Sequence, residues 1–434
     1  MRVAVVGAGP VGVASAVTAA LGGHDVLVVE QRGDRRACLA EGLLPFHEEA
    51  LERAWKALGP SVALRASLRD GGGPADLVVC CVGTPSLSDG SSDLSQVERV
   101  AAEVAELPPT VLVVRSTVPP GTGARLAAQL ATTGHGYAAH PEFLQEGRAL
   151  QDSVHPSRIV VGADDAWVHE RVFALYPGLG SPRMAVDIPT AELIKVAANA
   201  HLAMRISFIN EMAVVAEHFG ADIEVVAKGL GLDPRIGPSF LRAGLGYGGS
   251  CFPKDVRGLT ALSRAVGSEL RLLRAVIEVN VQQPVRLVDH LVAGLGSLRE
   301  RRVAIWGVAF KPGTDDVRES QAVRVAELLL ERGARVVVHD PVVRAPGGLP
   351  ARVDWADGAL AALDGADALV LATEWPEYRA VEPGIAVPRM AGVHPLVMDG
   401  RNALRAEQWI RAGAEYHGMG RGQRASAPSL RVGV

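Results

Sequence analysis

Cys251, set among glycines, is the first group in this sequence with the makings of a nucleophile. It stands in GGSCFPKD, residues 248–255. Glycines let backbone approach a ligand closely, and Lys254 lies three residues on, where a cation favours thiolate over thiol. Packing as a small buried residue is the competing role for any lone cysteine, and Cys38, Cys80 and Cys81 are expected to fill it. Lys195 and Asn199 are spaced i, i+4 in an apolar helical stretch and so share one face. Buried there, they need partners. Facing a reacting centre, they would offer a cation and an amide donor to an oxyanion. A solvated helix stripe would explain the spacing equally well. Glu142 and Glu146, in HPEFLQEG, could activate water, although capping or a surface pair is the plainer role.

A second constellation points to a dinucleotide. Gly7, Gly9 and Gly12 form G-x-G-x-x-G directly after an apolar run and at the start of a helix. The first permits a tight turn, the second close approach of a pyrophosphate, the third helix–strand packing. The helix N-terminus adds N–H donors and positive potential. Glu30 ends the next apolar run, where a carboxylate accepts ribose hydroxyls and repels a 2′-phosphate, so NAD is expected over NADP. Arg32 and Arg35 nearby temper that preference. The same fingerprint serves flavoproteins. Thr84 in CVGTP and Thr117 in RSTVPPGT follow apolar runs and could line the same crevice, or simply shape turns. In FKPGTDDVRES, Lys311, Asp315, Asp316 and Arg318 follow another apolar run, where cations would suit a diphosphate and a solvated turn is the alternative.

These groups require particular elements. Val3–Val6, Val26–Val29, Leu77–Val82, Val111–Val114 and Ile159–Val161 read as buried strands with helices between them. Thr190 is a plausible N-cap for a long apolar helix running to Phe219, with Gly220 as its stop. Further helix is expected from Val256 to Leu295, broken near Gly267 and bent at Pro284, with GLGYGGSCFPKD too glycine-rich to be helical. From Arg302, VAIWGVAF, ARVVVHDP, ADALVLATEW and PLVMDGRN supply a second, smaller sheet. The fold class is therefore α/β: two Rossmann-like doubly wound parallel-sheet domains joined by a central helical domain with one long helix. The boundaries are read as 1–185, 186–298 and 299–418, with a Gly-, Ser-, Pro- and Arg-rich tail, 419–434, expected to be disordered.

Composition narrows the function. The chain has 434 residues, 48% of them hydrophobic and 21% charged, an ordinary globular balance. A net charge of −4 gives no electrostatic case for nucleic acid or an anionic membrane. The four cysteines lack CxxC spacing, so neither a zinc site nor a disulfide framework is indicated. No run is long and apolar enough to span a bilayer, and no leader segment is seen; a cytoplasmic enzyme is expected.

Taken together, GAGPVG, CVGTP, RSTVPPGT, HPEFLQEG, ELIKVAANAHLAMRISFINE, GLGYGGSCFPKD, WGVAFKPGTDDVRES, HDP and DGRN resemble the UDP-glucose/GDP-mannose dehydrogenase family in content, order and spacing, to about residue 415. The resemblance implies oxidation of a nucleotide sugar's C6 alcohol to a carboxylate by two NAD. Cys251 would carry a thiohemiacetal and then a thioester. Lys195 and Asn199 would stabilise oxyanions, Asp255 would transfer protons to an ordered water, and Glu142 would assist hydrolysis with Thr117 close by. The implied cofactor contacts are Gly7, Gly9, Val11, Gly12, Glu30, Arg35, Thr84, Thr117, Glu146, Lys254 and Arg318. The implied substrate contacts are Glu142, Phe143, Leu144, Lys195, Asn199, Phe240, Leu241, Gly244, Gly248 and Lys311. A homodimer through the central helices and no metal are also implied. The PEFL-x-EG and GYGGSCFPKD forms look like those of enzymes acting on UDP-glucose; dTDP-glucose and GDP-mannose are the alternatives. His140, Val196 and His201 depart from the family's usual asparagine, tyrosine and phenylalanine, which bears on substrate preference. A silent sensor of the same ligands would be expected to have lost a chemical residue, and Cys251, Lys195, Asn199 and Asp255 are all present.

Overall fold

The computed structural model describes residues 1–71, 73–343 and 348–421. The chain divides into two compact units. One comprises Met1–Asn199 with Lys254–Glu269, the other Ala200–Pro253 with the chain from Leu270 onward.

The first unit is built on eight strands: β1 (Arg2–Val6), β2 (Asp25–Val29), β3 (Ala63–Arg65), β4 (Leu77–Cys80), β5 (Val111–Val114), β6 (Gly136–Ala139), β7 (Ile159–Gly162) and β8 (Arg183–Val186). Their order is β3-β2-β1-β4-β5-β6-β7-β8. The inner strands are apolar on both faces because both are covered; Val3 to Val6 are all buried. Neighbours are parallel except β6 and β7, which meet antiparallel at Ala139 and Gly162, so the final parallel pair is attached in reverse.

The second unit carries β9 (Arg302–Trp306), β10 (Arg335–His339), β11 (Asp354–Trp355), β12 (Ala368–Leu371), β13 (Leu396–Asp399) and β14 (Glu415–Gly418), ordered β11-β10-β9-β12-β13-β14 and parallel throughout. This repeats the order of the first six strands of the other unit. The repeat extends to detail. Gly7, with φ +95°, donates its N–H to Val29 O at 2.8 Å, and Gly307, with φ +86°, donates to His339 O at 2.8 Å. The turns then diverge. After Gly7 the chain enters helix α1 (Pro10–Leu21). After Gly307 no helix follows until Gln321, and the buried carboxylate of Asp340 accepts the N–H groups of Val308 at 2.8 Å and Ala309 at 3.1 Å. The core here centres on Trp306, stacked on Tyr378 at 5.0 Å and edge-on to Trp409 at 6.0 Å.

The long helix is Ile188–Phe219, 32 residues. It starts before Thr190: Asp187 Oδ1 accepts the Thr190 N–H at 2.7 Å, so the aspartate caps and the threonine lies in the first turn. Gly220, with φ +68°, ends it as expected. The cysteine segment also differs from expectation. FPKD is not irregular but opens the helix Phe252–Ala265, since proline is tolerated in a first turn. Pro284 lies inside the helix Arg271–Leu295. Among the described residues no helix is long and apolar enough to cross a membrane. Of the expected tail, Met419 is buried and Arg421 bridges to Asp222; residues 422–434 lie outside the described residues.

Candidate active site

The glycine turn of the first unit has the shape a pyrophosphate needs. A Cβ at Gly7 would meet Cys81 O at 2.9 Å, and one at Gly12 would meet Gly7 O at 1.8 Å, so both must stay glycine for packing. A Cβ at Gly9 would meet nothing within 4 Å, leaving that flank of the turn open. Gly9 N-caps α1, whose first turn has proline and no acidic side chain to neutralise its N–H groups. Val11 lies in that turn. Glu30 is buried at the end of β2, its two oxygens accepting Ala8 N–H at 3.2 Å and Arg32 N–H at 3.0 Å. Arg35 approaches the same carboxylate at 3.9 Å. These residues fit a dinucleotide with an unsubstituted ribose.

The chemical residues of this unit assemble around the long helix. Lys195, at 4% exposure, donates to Glu142 Oε1 at 3.0 Å; its ammonium also lies 5.6 Å from the Phe143 ring centre. One turn on, Asn199 Nδ2 donates to Asp255 Oδ2 at 2.6 Å, and Lys254 Nζ pairs with the other oxygen of Asp255 at 2.7 Å. Lys254 also reaches Thr84 Oγ1 at 3.4 Å, and Thr84 donates to Thr117 O at 2.9 Å. The i, i+4 pair is thus buried and partnered, not a solvated stripe. Each member holds a carboxylate. Burial pushes the Glu142 carboxyl up, but Lys195, the Leu144 N–H and Arg115 together outweigh it and hold it below the usual carboxylate range. Glu146 lies farther along the same loop, half-buried.

His140 proves structural. Its Nδ1 donates to Val160 O at 2.6 Å, because a carbonyl can only accept, and Nε2 faces Arg115 at 2.8 Å and Tyr176 Oη at 2.6 Å. Burial, reinforced by the Arg115 charge, pushes it down to about 3, so it stays neutral near pH 7. Two residues that sequence reasoning missed stand here. Arg115 opens RSTVPPGT and, with Glu142, lines a cavity of about 190 Å³. Glu192, one turn before Lys195, accepts the N–H groups of Gly121 at 2.8 Å and Gly123 at 2.7 Å, tying the long helix to the turn after Thr117.

In the second unit, Cys251 is exposed, 3.5 Å from Ser250 Oγ, and immediately precedes the helix opened by Phe252. Cys80 and Cys81 are buried, their thiols pushed up to about 11 and about 12, and behave as core residues. Cys38 is half-buried, with burial again raising its thiol. The loop before Cys251 is pinned at many points. Gly244 N–H goes to Asn210 Oδ1 at 2.8 Å, Tyr247 N–H to Asn280 Oδ1 at 2.8 Å, and Arg401 donates to Gly246 O at 3.1 Å. A Cβ at Gly248 would meet Glu319 O at 2.3 Å, so the loop lies against the segment that follows β9. Lys311 stands there, 5.6 Å from the Phe310 ring centre. Arg318 is turned onto Asp316, with contacts of 2.6 to 3.0 Å, which reduces the cationic surface expected of this segment. A cavity of about 380 Å³ is lined by Phe240, Leu241, Gly244 and Arg401 among others. Asn210, Asn280 and Arg401 were missed as loop anchors, although Arg401 sits in DGRN.

Two Rossmann sheets, the first with a glycine turn and a terminal acid suited to NAD, together with a buried lysine–asparagine pair and an accessible thiol, define a dinucleotide-dependent dehydrogenase. Comparison with known proteins gives the particular kind. Models of the UDP-glucose/GDP-mannose dehydrogenase family match in chain order: the NAD binding domain on residues 1–179, the central domain on 189–282 and the UDP binding domain on 304–406. A UDP-glucose 6-dehydrogenase of Pseudomonas aeruginosa is 41% identical, the alignment spanning 97% of this chain and 98% of that protein. A UDP-glucose dehydrogenase from Pyrobaculum islandicum superposes with a TM-score of 0.89 at 37% identity, covering 96% of this chain and 97% of the other. A UDP-D-ManNAc dehydrogenase from Pyrococcus horikoshii gives 0.86 at 26% identity, covering 97% and 100%. The chain belongs to the UDP-glucose/GDP-mannose dehydrogenase family. It is an NAD-dependent oxidoreductase of nucleotide sugars.

Proposed function

We propose that this enzyme oxidises the C6 hydroxyl of UDP-glucose in two steps to UDP-glucuronate. The observation that carries the reading is the buried face of the long helix, where Lys195 and Asn199 each hold a carboxylate. The choice of glucose over an N-acetylhexosamine rests on the likeness to UDP-glucose 6-dehydrogenases, 41% against 26%. NAD, when bound at the glycine turn, supplies the hydride acceptor, once per step.

The chain's own residues do the rest. Loss of hydride from C6 and a proton from its hydroxyl gives the aldehyde. The Cys251 thiolate then adds to the aldehyde carbon, and the resulting oxyanion is stabilised by Lys195 and the Asn199 amide. Loss of a second hydride leaves a thioester on Cys251. Water, deprotonated with help from Glu142 and Thr117, adds to the thioester; the thiolate leaves and the carboxylate forms. Asp255 relays protons through water held at Asn199. Thr84, Glu146, Lys254 and Arg318 contact the cofactor; Phe143, Leu144, Phe240, Leu241, Gly244, Gly248 and Lys311 contact the substrate.

NADH formation against a panel of UDP-, dTDP- and GDP-sugars tests this. UDP-glucose should give the highest kcat/KM, with two NADH per sugar. One NADH per sugar would defeat the two-step reading, and a preference for another nucleotide would reassign the substrate. We also place the enzyme in the cytoplasm, as a homodimer through the central helices. Exposed Phe208, Val215 and Phe219 recur at i, i+7 and i+11 on the long helix, an apolar face suited to a second copy. Light scattering should return twice the chain mass of 45.5 kDa; a monomer at working concentration would overturn the dimer.

A further inference from the structure

Phe240 adopts φ +61°, a left-handed conformation that bulky L-residues rarely take unless the surroundings hold them there. Three residues earlier Gly237 is also left-handed, at φ +68°. The stretch between them, Pro238-Ser239, forms no helix or strand of its own. It is held from outside by one side chain. Arg205, on the long helix, donates from Nε to Ser239 O at 2.8 Å, from one terminal nitrogen to Ile236 O at 2.7 Å, and from the other to Gly237 O at 2.7 Å. Three carbonyls within four residues are thus gathered by one rigid guanidinium. Among the described residues, these are the long-range hydrogen bonds made to 236–239. The following stretch is anchored differently, by Asn210, Asn280 and Arg401.

The position of this clamp matters. Pro238 and Phe240 line the cavity of about 380 Å³, as does Ile206, the residue after Arg205. The clamp therefore fixes the entry to the segment that shapes that cavity. A guanidinium suits the task because its planar fork meets several acceptors at once without adjusting. A lysine would carry the same charge as a point, with less directional hold. Preorganising a loop lowers the ordering cost of binding, so its loss appears in affinity first.

We propose that Arg205 is a positioning residue for the sugar-nucleotide loop, holding Phe240 in its left-handed conformation and so setting affinity for the nucleoside diphosphate part of the substrate. The proposal rests on the assignment of this cavity to the sugar nucleotide.

The test uses full-length Arg205→Met and Arg205→Lys enzymes. Steady-state kinetics should show KM for UDP-glucose raised about tenfold in Arg205→Met and less in Arg205→Lys, with KM for NAD unchanged and kcat within about twofold. An unchanged sugar-nucleotide KM in Arg205→Met overturns the proposal. So does a parallel rise in both KM values with a lowered melting temperature, which marks a merely structural role. Calorimetry with UDP alone separates this inference from the reading beneath it. If wild type binds UDP but does not oxidise UDP-glucose, the assigned reaction fails while the clamp is still read as about tenfold weaker UDP binding in Arg205→Met; equal UDP affinity in wild type and variant sinks the clamp.

Discussion

Exchange of Cys251 for serine is expected to abolish formation of the acid while leaving sugar-nucleotide binding nearly unchanged. The change replaces one atom. A hydroxyl at this position is far less acidic than a thiol, so it adds poorly to an aldehyde, and the oxygen ester that would follow does not match the thioester in reactivity. Loss of a nucleophile of this kind lowers turnover by roughly a thousandfold or more. Binding should survive because the loop's anchors do not involve the sulfur: Asn210, Asn280 and Arg401 hold Gly244 to Tyr247 through backbone atoms. Product analysis and UDP-glucose titration on the variant decide it. Complete two-step turnover in Cys251→Ser would remove the thioester from the mechanism.

Lys195→Met should damage both turnover and stability, and the stability loss should depend on pH. In the native enzyme Glu142 is buried beside Lys195, with Arg115 and the Leu144 N–H also drawing its carboxyl down despite burial. Its folded value lies below the unfolded value of 4.5, so its favourable contribution is complete above that pH and is lost as pH falls through the lower folded value. Removing the ammonium leaves burial as the main influence, and the carboxyl moves up. The sign then reverses: the variant is best off where Glu142 is protonated and loses stability as pH rises through the raised value. Breaking a buried pair by deleting one partner typically costs about 3–5 kcal/mol. Melting curves should therefore show a larger deficit at pH 8 than at pH 5. Turnover should fall by at least about a hundredfold if Lys195 is the oxyanion donor proposed above. An equal deficit at both pH values would mean that Glu142 does not depend on this cation.

Much of this arrangement was legible before any coordinates. G-x-G-x-x-G after an apolar run, with an acid ending the next run, translates directly into β1, α1, β2 and Glu30, because strand, turn and helix here are contiguous. The Lys195–Asn199 face was legible for the same reason: the helical period is local. Their partners were not. Glu142 lies 53 residues from Lys195, and Asp255 lies 56 from Asn199; no periodicity spans such gaps. Short edge strands were also passed over, among them β3, β8 and β11, where three or four residues, or only two, leave no alternation to read. The sequence places the start of the long helix too late because Asp187 and Thr190 are both good caps, and only the hydrogen bond separates them. FPKD reads as loop in the sequence because glycines crowd its upstream side, whereas Cys251 in fact abuts a helix.

The duplicated topology leaves an asymmetry with consequences for stoichiometry. In the first half of the molecule the amides after the tight turn enter a helix whose first turn carries no acid, and so remain suited to an outside anion. In both halves an acid after the second strand takes the first amide of the turn, Glu30 from Ala8 and Asp340 from Val308; in the second half Asp340 takes the next amide too, that of Ala309, and no helix follows directly. That half has kept the architecture of a dinucleotide binder without the helix start that offers free N–H groups after the turn, so a nucleotide there must be gripped by side chains and loops instead. Among the described residues one tight turn of this kind runs straight into a helix, the one at Gly7. On the two-step oxidation proposed above, the two hydrides of a single sugar would go to two NAD molecules admitted in succession to that seat.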